Sequence, residues 1–164
     1  DTKSAQLGSY LPTDLEMEPD ESVIWVIDPE DYKADVLFVF ENGRVVRVAL
    51  SGYVTKTNRK RLKNAIYGGS KLLYAQVLKE DRDIALVSSD YRLMNFNTSL
   101  LKTKTTTSTQ GVQAFTAKKG RSVTTVGTTE EILGAGVSAE KFTAQSLPSA
   151  GALMKENDMP SLFD

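Results

Sequence analysis

The sequence predicts a nearly all-β chain assembled from tandem, multi-stranded repeats. Three observations carry that expectation: short runs of β-branched and aromatic residues, turn-forming pairs between those runs, and an internal repeat that brings Asp35 into register with Asp83.

The elements follow in order. Residues 23–27 (VIWVI), 36–40 (VLFVF) and 45–50 (VVRVAL) read as strands, with Trp25 inside the first as a core residue. Asp28-Pro29 interrupts the first run, and Glu41-Asn42-Gly43-Arg44 separates the other two. Asn-Gly tolerates positive φ, so a primed two-residue hairpin turn is expected there. Further strands are predicted at 71–79, 84–88, 93–97, 112–117 and 122–126, with Asp90-Tyr91 turning the chain where Asn42-Gly43 turned it before. A one-strand or two-strand piece is expected over 10–27. Helical periodicity surfaces only at 129–133. Beyond Val126 the chain is glycine- and proline-punctuated, with short strands expected at 142–144 and 152–155 and a frayed tail at 156–164.

The repeat sharpens this. A shift of 48 superposes Asp35 on Asp83, Val39 on Val87, Arg44 on Arg92 and Ser51 on Ser99, and Thr55-Lys56-Thr57 on Thr103-Lys104-Thr105. A later shift of 39 pairs Lys79 with Lys118, Arg82 with Arg121 and Ile84 with Val123, which makes the second copy the shorter one. Repeats of this length with several strands each are the mark of bladed β architectures. The division expected is 1–34, the end of a preceding blade or N-terminal strands; 35–83, repeat one; 84–128, repeat two; and 129–164, a closing segment and tail.

Composition narrows the chemistry. The chain has no cysteine and no histidine. Disulfides, thiolate ligands, histidine-dependent triads and standard zinc sites are therefore excluded, and nothing in the spacing singles out a carboxylate pair or a lysine-activated serine. Gly68-Gly69-Ser70-Lys71 lacks the remainder of a phosphate-loop pattern. No apolar run is long enough to span a bilayer, and the N-terminus lacks a signal-peptide pattern. The expectation is a non-catalytic cytosolic module.

Charge is unevenly spread. Residues 1–35 carry 2 basic and 10 acidic side chains, residues 36–126 carry 16 and 5, and residues 127–164 carry 2 and 6. The net charge of −1 thus hides a strongly basic middle, which points to a polyanionic partner. The densest element is TKTNRKRLK, residues 55–63, with Lys56, Arg59, Lys60, Arg61 and Lys63 among small hydroxyl and amide donors suited to phosphate oxygens. Its second copy offers Lys102 and Lys104 before a run of hydroxyls. Arg44, Arg47, Lys71, Arg92, Lys118, Lys119 and Arg121 complete the expected DNA-binding set, which would form one basic band if equivalent elements share a rim. Each feature has a structural counterpart: lysines solubilise strand faces, threonine favours extended backbone, and Arg44 and Arg92 follow turns where they could guard an edge. The alternative reading is a β scaffold for protein–protein interaction with no nucleic-acid role.

DVLFVFENGRVVRV (35–48), then TKTNRKRLK, then LLYAQVLKEDRDIALVSSDYRLMNF (72–96) resembles the blade repeat of the C-terminal domain of the bacterial type IIA topoisomerase A subunit, that of DNA gyrase A and topoisomerase IV A. LGSYLPTDLEMEPDESVIWVI (7–27) is similar to the end of a preceding blade, and TAQSLPSAGALMKEND (143–158) to the final segment of some topoisomerase IV-like subunits. The resemblance implies a partial β-pinwheel, a propeller-like array of four-stranded antiparallel blades, that binds and bends or wraps duplex DNA through a basic rim. It implies a cytoplasmic, nucleoid-associated bacterial setting, and as partners duplex DNA, the remainder of the A subunit and the B subunit. No cofactor is expected in this piece; ATP and Mg²⁺ would act in other domains or subunits of the parent enzyme. The Gln-Arg-Arg-Gly-Gly-Lys-Gly type box of gyrase is not present, which weakens the case for tight chiral wrapping and favours bending of the topoisomerase IV kind or gyrase activity in a divergent form.

Overall fold

A computed structural model describes residues 10–28, 32–57, 62–155 and 158. Two four-stranded antiparallel sheets dominate it. β1 (Asp35–Phe40), β2 (Arg44–Ala49) and β3 (Leu72–Leu78) belong to the first sheet, and β4 (Asp83–Ser88) and β5 (Arg92–Asn97) to the second. Then come β6 (Val112–Gln113), β7 (Val123–Thr128) and β8 (Ala152–Leu153). The strand orders are β3-β1-β2-β6 and β7-β4-β5-β8. Each sheet therefore centres on a hairpin, and the fourth strand of the first sheet comes from residues lying beyond the second sheet's hairpin. Two short helices complete the elements, α1 (Leu11–Asp14) and α2 (Thr129–Leu133).

The repeat found at a shift of 48 is a repeat of backbone positions. Asp35 faces Ala49 across the first hairpin as Asp83 faces Asn97 across the second. A register shift at Val39/Phe40 recurs at Val87/Ser88. The later shift of 39 is corrected by the sheets. Leu72 pairs with Phe40 and Val123 with Ser88, so β3 and β7 are equivalent at a shift of 51. Ile84 lies in an inner strand whereas Val123 opens an outer one, so those two positions are not equivalent. β6 and β8 are related by a shift of 40, since Val112 faces Val45 and Ala152 faces Leu93.

The turns also differ from expectation. The Gly43 amide donates to the Phe40 carbonyl at 2.9 Å, and φ is positive at Gly43 but not at Asn42. This is a type I-like turn followed by a left-handed residue rather than a primed turn. At the equivalent place Tyr91 takes the left-handed conformation, with φ of +57°. Residues 23–27 form no strand, because no neighbouring strand offers them a ladder, and Trp25 is 43% exposed rather than core. The expected strand at 142–144 is instead a 3-10 turn, Glu140–Phe142, with a single bridge from Thr143 to Asn95.

The core lies between the sheets. Leu37, Val39 and Val45 of the first pack against Ile84, Leu86, Met94 and Phe96 of the second, with Phe115 sealing the layer. Alternate residues of the same strands face outward. Ala85, Val87 and Leu93 are covered by Ile132 and Leu133 of α2, with Phe142 and Met154. The outer face of the first sheet (Val36, Phe38, Phe40, Val46, Val48) meets Ile27, Tyr53, Ile66 and Tyr67.

Candidate nucleic-acid interface

The predicted basic residues fall into two chemical classes. The described arginines of the predicted set, Arg44, Arg47, Arg92 and Arg121, are tied down. Arg47 donates to Asp35 and Asp81, both at 2.7 Å, and to the Thr98 carbonyl at 3.0 Å. Burial opposes its charge, and the hydrogen bonds to the two carboxylates outweigh that and hold the guanidinium above its usual range. Arg121 grips Asp90 at 2.8 Å, donates to the Thr116 carbonyl and lies over the Phe115 ring. Its side chain is only 8% exposed. The Arg121 hydrogen bond, helped by the Ser88 hydroxyl, pulls the Asp90 carboxyl down to about 2.

Arg44 and Arg92 perform one task twice. Arg44 donates to the Gln110 carbonyl at 3.3 Å, and Arg92 to the Ala150 and Gly151 carbonyls, both at 2.8 Å. Gln110 and Ala150 each precede a left-handed glycine, Gly111 and Gly151, that leads into the fourth strand of a sheet. These arginines clamp incoming strands.

The described lysines of the set behave otherwise. Lys56, Lys63, Lys71, Lys102, Lys104, Lys118 and Lys119 are all exposed, and among the described residues none makes an ion pair or side-chain hydrogen bond. Arg59, Lys60 and Arg61 lie outside the described residues.

Tertiary contacts sort these lysines into two groups. The loop after β2 and the loop after β5 are joined: Thr107 donates to the Asn64 carbonyl at 3.1 Å, and Gly52 packs against the Thr105 carbonyl. The Lys104 amide donates to the Arg47 carbonyl, and Thr103 bonds Asp35, both at the 3-10 end of the first hairpin. Lys56, Lys63, Lys102 and Lys104 thus belong to one loop pair drawn from both repeats. Lys71, Lys118 and Lys119 sit at the opposite, turn end of the strands, where the Glu41 amide donates to the Lys71 carbonyl and the Ser89 hydroxyl to the Gly120 carbonyl. A strand of the length of β1 separates the ends by roughly 17 Å. The predicted residues do not form one band: four are internal clamps, three lie outside the described residues, and the seven lysines divide between two ends. The carboxylate partners Asp35, Asp81 and Asp90 were not singled out from the sequence, although the Asp35–Asp83 correspondence in the repeat was a signal for the first.

Exposed lysines beside threonine hydroxyls can neutralise and hydrogen-bond successive anionic oxygens without selecting among bases. Among the described residues no three acidic side chains come together as a metal cluster, and no helix is long and apolar enough to cross a membrane.

No model of a known protein family matches the chain, and no curated protein matches it. Solved structures do. The C-terminal domain of DNA topoisomerase IV aligns at a TM-score of 0.60 and 20% identity, over 75% of this chain and 39% of that one. The DNA gyrase A C-terminal domain aligns at 0.63 and 14% identity, over 92% and 55%. The E. coli ParC C-terminal domain aligns at 0.65 and 13% identity, over 92% and 67%. The likeness is one of fold, and this chain spans between 39% and 67% of the chains it matches. Its architecture is all-β, a partial β-pinwheel of four-stranded antiparallel blades.

Proposed function

We propose, from a fold shared with the C-terminal domains of topoisomerase IV and gyrase A, that the chain is a non-catalytic module that binds the backbone of duplex DNA and bends it. It would serve as an accessory part of a type IIA topoisomerase A subunit, with the B subunit as the ATP-dependent partner. The module itself needs no cofactor, and the setting is the bacterial cytoplasm at the nucleoid.

The observation that carries this reading is the joined loop pair. Lys56, Lys63, Lys102 and Lys104 come from two successive repeats, are exposed and unpaired among the described residues, and stand among Thr55, Thr103, Thr105 and Thr106. Arg59, Lys60 and Arg61 interrupt the same loop in sequence and raise its charge. Lysine is a strongly hydrated point charge suited to phosphate neutralisation, whereas the buried arginines already use their donors inside the fold. Affinity then comes chiefly from counterion release and is nearly independent of sequence.

The test is titration of a labelled duplex of about 30 base pairs at several salt concentrations. If about six phosphates are neutralised, log K falls against log salt with a slope near −5. Changing Lys56, Lys63, Lys102 and Lys104 together to Gln makes that slope shallower by about 3.6, at roughly 0.9 per phosphate contact. A flat salt response, or an unchanged slope in the quadruple variant, rejects this surface.

A further inference from the structure

The face of the first sheet that meets the second is apolar until it reaches Arg47. Leu37 and Val45 lie in the core between the sheets, and Arg47, opposite Leu37 across the hairpin, continues their row. Its partners come from both sheets and from the chain between them. Asp35 opens β1, Asp81 lies in the link from β3 to β4, and Thr98 follows β5. Thr98 is fully buried, and its hydroxyl donates to the same Asp81 oxygen that accepts from Arg47. The Thr103 hydroxyl donates to the same Asp35 oxygen that accepts from the Arg47 Nε. One guanidinium thus ties the first hairpin to both ends of the 98–103 segment, which leads from the second sheet into the lysine loop.

The repeat supplies a comparison inside the same chain. At the shift of 48 Arg47 corresponds to Asn95, and at the shift of 40 that relates β6 to β8 Lys104 corresponds to Ala144 and Thr103 to Thr143. The backbone is alike at both places. The Lys104 amide donates to the Arg47 carbonyl and the Ala144 amide to the Asn95 carbonyl, each at 2.8 Å, and a parallel bridge lies beside each contact. The side chains are not alike. Asn95 is 1% exposed, and among the described residues it bonds only the neutral hydroxyls of Thr129 and Thr143. Asn95 stands where the second sheet meets its cover of α2 and Phe142, whereas Arg47 stands where sheet meets sheet. A neutral amide serves the covered joint. The joint between sheets has a cation held by two carboxylates, and the residue seated on it is an exposed lysine in place of alanine.

We propose that Arg47, through Asp35 and Asp81, is a positioning residue that fixes the angle between the two sheets and the seat of Lys104, and so sets how far bound DNA is bent without touching it. The consequence for DNA rests on the backbone-binding reading above; the fixing of the angle does not. The physical reason is directionality. The apolar layer between the sheets is held by burial, which has no preferred orientation and leaves the sheets free to slide or tilt. A planar guanidinium shared between two carboxylates and a carbonyl accepts only a narrow range of geometries. Lys104 follows that geometry directly, because its amide bonds the Arg47 carbonyl and its carbonyl accepts from the Ala49 amide at 2.8 Å. Tilting the second sheet away from Arg47 therefore moves Lys102 and Lys104 relative to Lys56 and Lys63. A duplex that follows both pairs of lysines takes its curvature from that relation.

The chain has no cysteine, so nitroxide labels introduced through Ser51→Cys and Ser99→Cys, exposed and equivalent positions just beyond the two hairpins, report the joint by their dipolar coupling. With Arg47 intact, one distance is expected. Arg47→Gln should add a second population of about 10% or more. Asp81→Asn, which removes only the more exposed carboxylate, should do the same and stands in if Arg47→Gln does not fold. Arg47→Lys, a cation without the fork, should fall between. Thr128→Ala removes the cap of α2, away from the joint, and should keep one distance. With unlabelled protein, energy transfer between dyes at the two ends of a duplex should fall in Arg47→Gln while the salt slope stays at the wild-type value, since no phosphate contact is lost. A single distance in both Arg47→Gln and Asp81→Asn overturns the proposal. So does a second population of equal size in Thr128→Ala, which makes the effect one of stability alone. An unchanged bend, or a shallower slope in Arg47→Gln, overturns the link to DNA. A wild type without salt-dependent binding sinks the DNA reading instead, and the labels still decide the joint.

Discussion

Tyr91 sits at the tip of the second hairpin with a left-handed backbone, φ +57°, and a ring 63% exposed. The equivalent residue of the first hairpin is Gly43, where a Cβ would meet the Phe115 carbonyl at 2.9 Å. Tyr91 has no such crowding reason to be glycine, only the steric cost of its own Cβ. Tyr91→Gly should raise stability by about 1 kcal/mol or slightly less, after the extra chain entropy of glycine in the unfolded state. Urea unfolding checks this; a loss of stability would mean that the exposed ring makes a contribution the backbone strain conceals. The neighbouring Asp90 sets a pH dependence. Its folded carboxyl titrates at about 2 against 3.8 when free, chiefly through the Arg121 hydrogen bond. A depressed carboxyl contributes stability that is complete above the free value and is lost as pH falls through the folded value. Wild-type urea midpoints should therefore decline between about pH 4 and pH 2. Asp90→Asn should be less stable at about pH 5 and show a shallower decline, with Asp81, also lowered by Arg47, supplying part of the remaining slope.

At the scale of elements, the weakest joints are the two-residue strands β6 and β8, each of which closes a sheet. Backbone approach substitutes for length. A Cβ on Gly111 would lie 2.2 Å from the Val45 carbonyl oxygen, and one on Gly151 2.5 Å from that of Leu93, with φ of +63° and +60°. Arg44 and Arg92 hold the residues just before or at these turns. Gly151→Ala should cost about 3 kcal/mol, because the strand must retreat from β5 as well as adopt a strained φ. Gly120→Ala, with φ +79° and open space around it, should cost only about 1 kcal/mol. Thermal unfolding of the pair separates crowding from strain. α2 closes the other face. Its capping box, with Thr128 and Glu131 each accepting from the other's backbone amide, starts the helix, and Ile132 and Leu133 shield the second sheet. A helix thus stands where the repeat pattern would place a third hairpin.

Across the whole molecule, interleaved strands make the two sheets one cooperative unit, since the first is completed only after the second hairpin is in place. That arrangement also brings the Lys56–Lys63 loop against the Lys102–Lys104 loop. A surface assembled from two repeats predicts that losses add across them. Lys56→Gln with Lys63→Gln, and Lys102→Gln with Lys104→Gln, should each flatten the salt slope of duplex binding by about 1.8. Arg59, Lys60 and Arg61 changed to alanine should weaken binding equally for unrelated DNA sequences, as read by parallel titrations of two duplexes. Arg47→Ala and Arg121→Ala are expected to lower stability, because each leaves a half-buried carboxylate, Asp35 or Asp90, without its cation.

The sequence by itself determined the local structure. The positions of the two hairpins and of the turns inside them, and the equivalence of Asp35 with Asp83 and of Arg44 with Arg92, follow from side-chain branching, turn chemistry and a repeat that needs no partner to be visible. Only the tertiary structure decided which strand joins which sheet, and therefore which shift relates the outer strands. Pairing is set by long-range backbone hydrogen bonds that leave little trace in composition. The same holds for charge. In sequence Arg47 and Lys56 are alike, but folding delivers Asp35 and Asp81 to the first and, among the described residues, nothing to the second. Residues 23–27 have every local feature of a strand and are not one here, because a strand exists only where a neighbour supplies the other half of its hydrogen bonds.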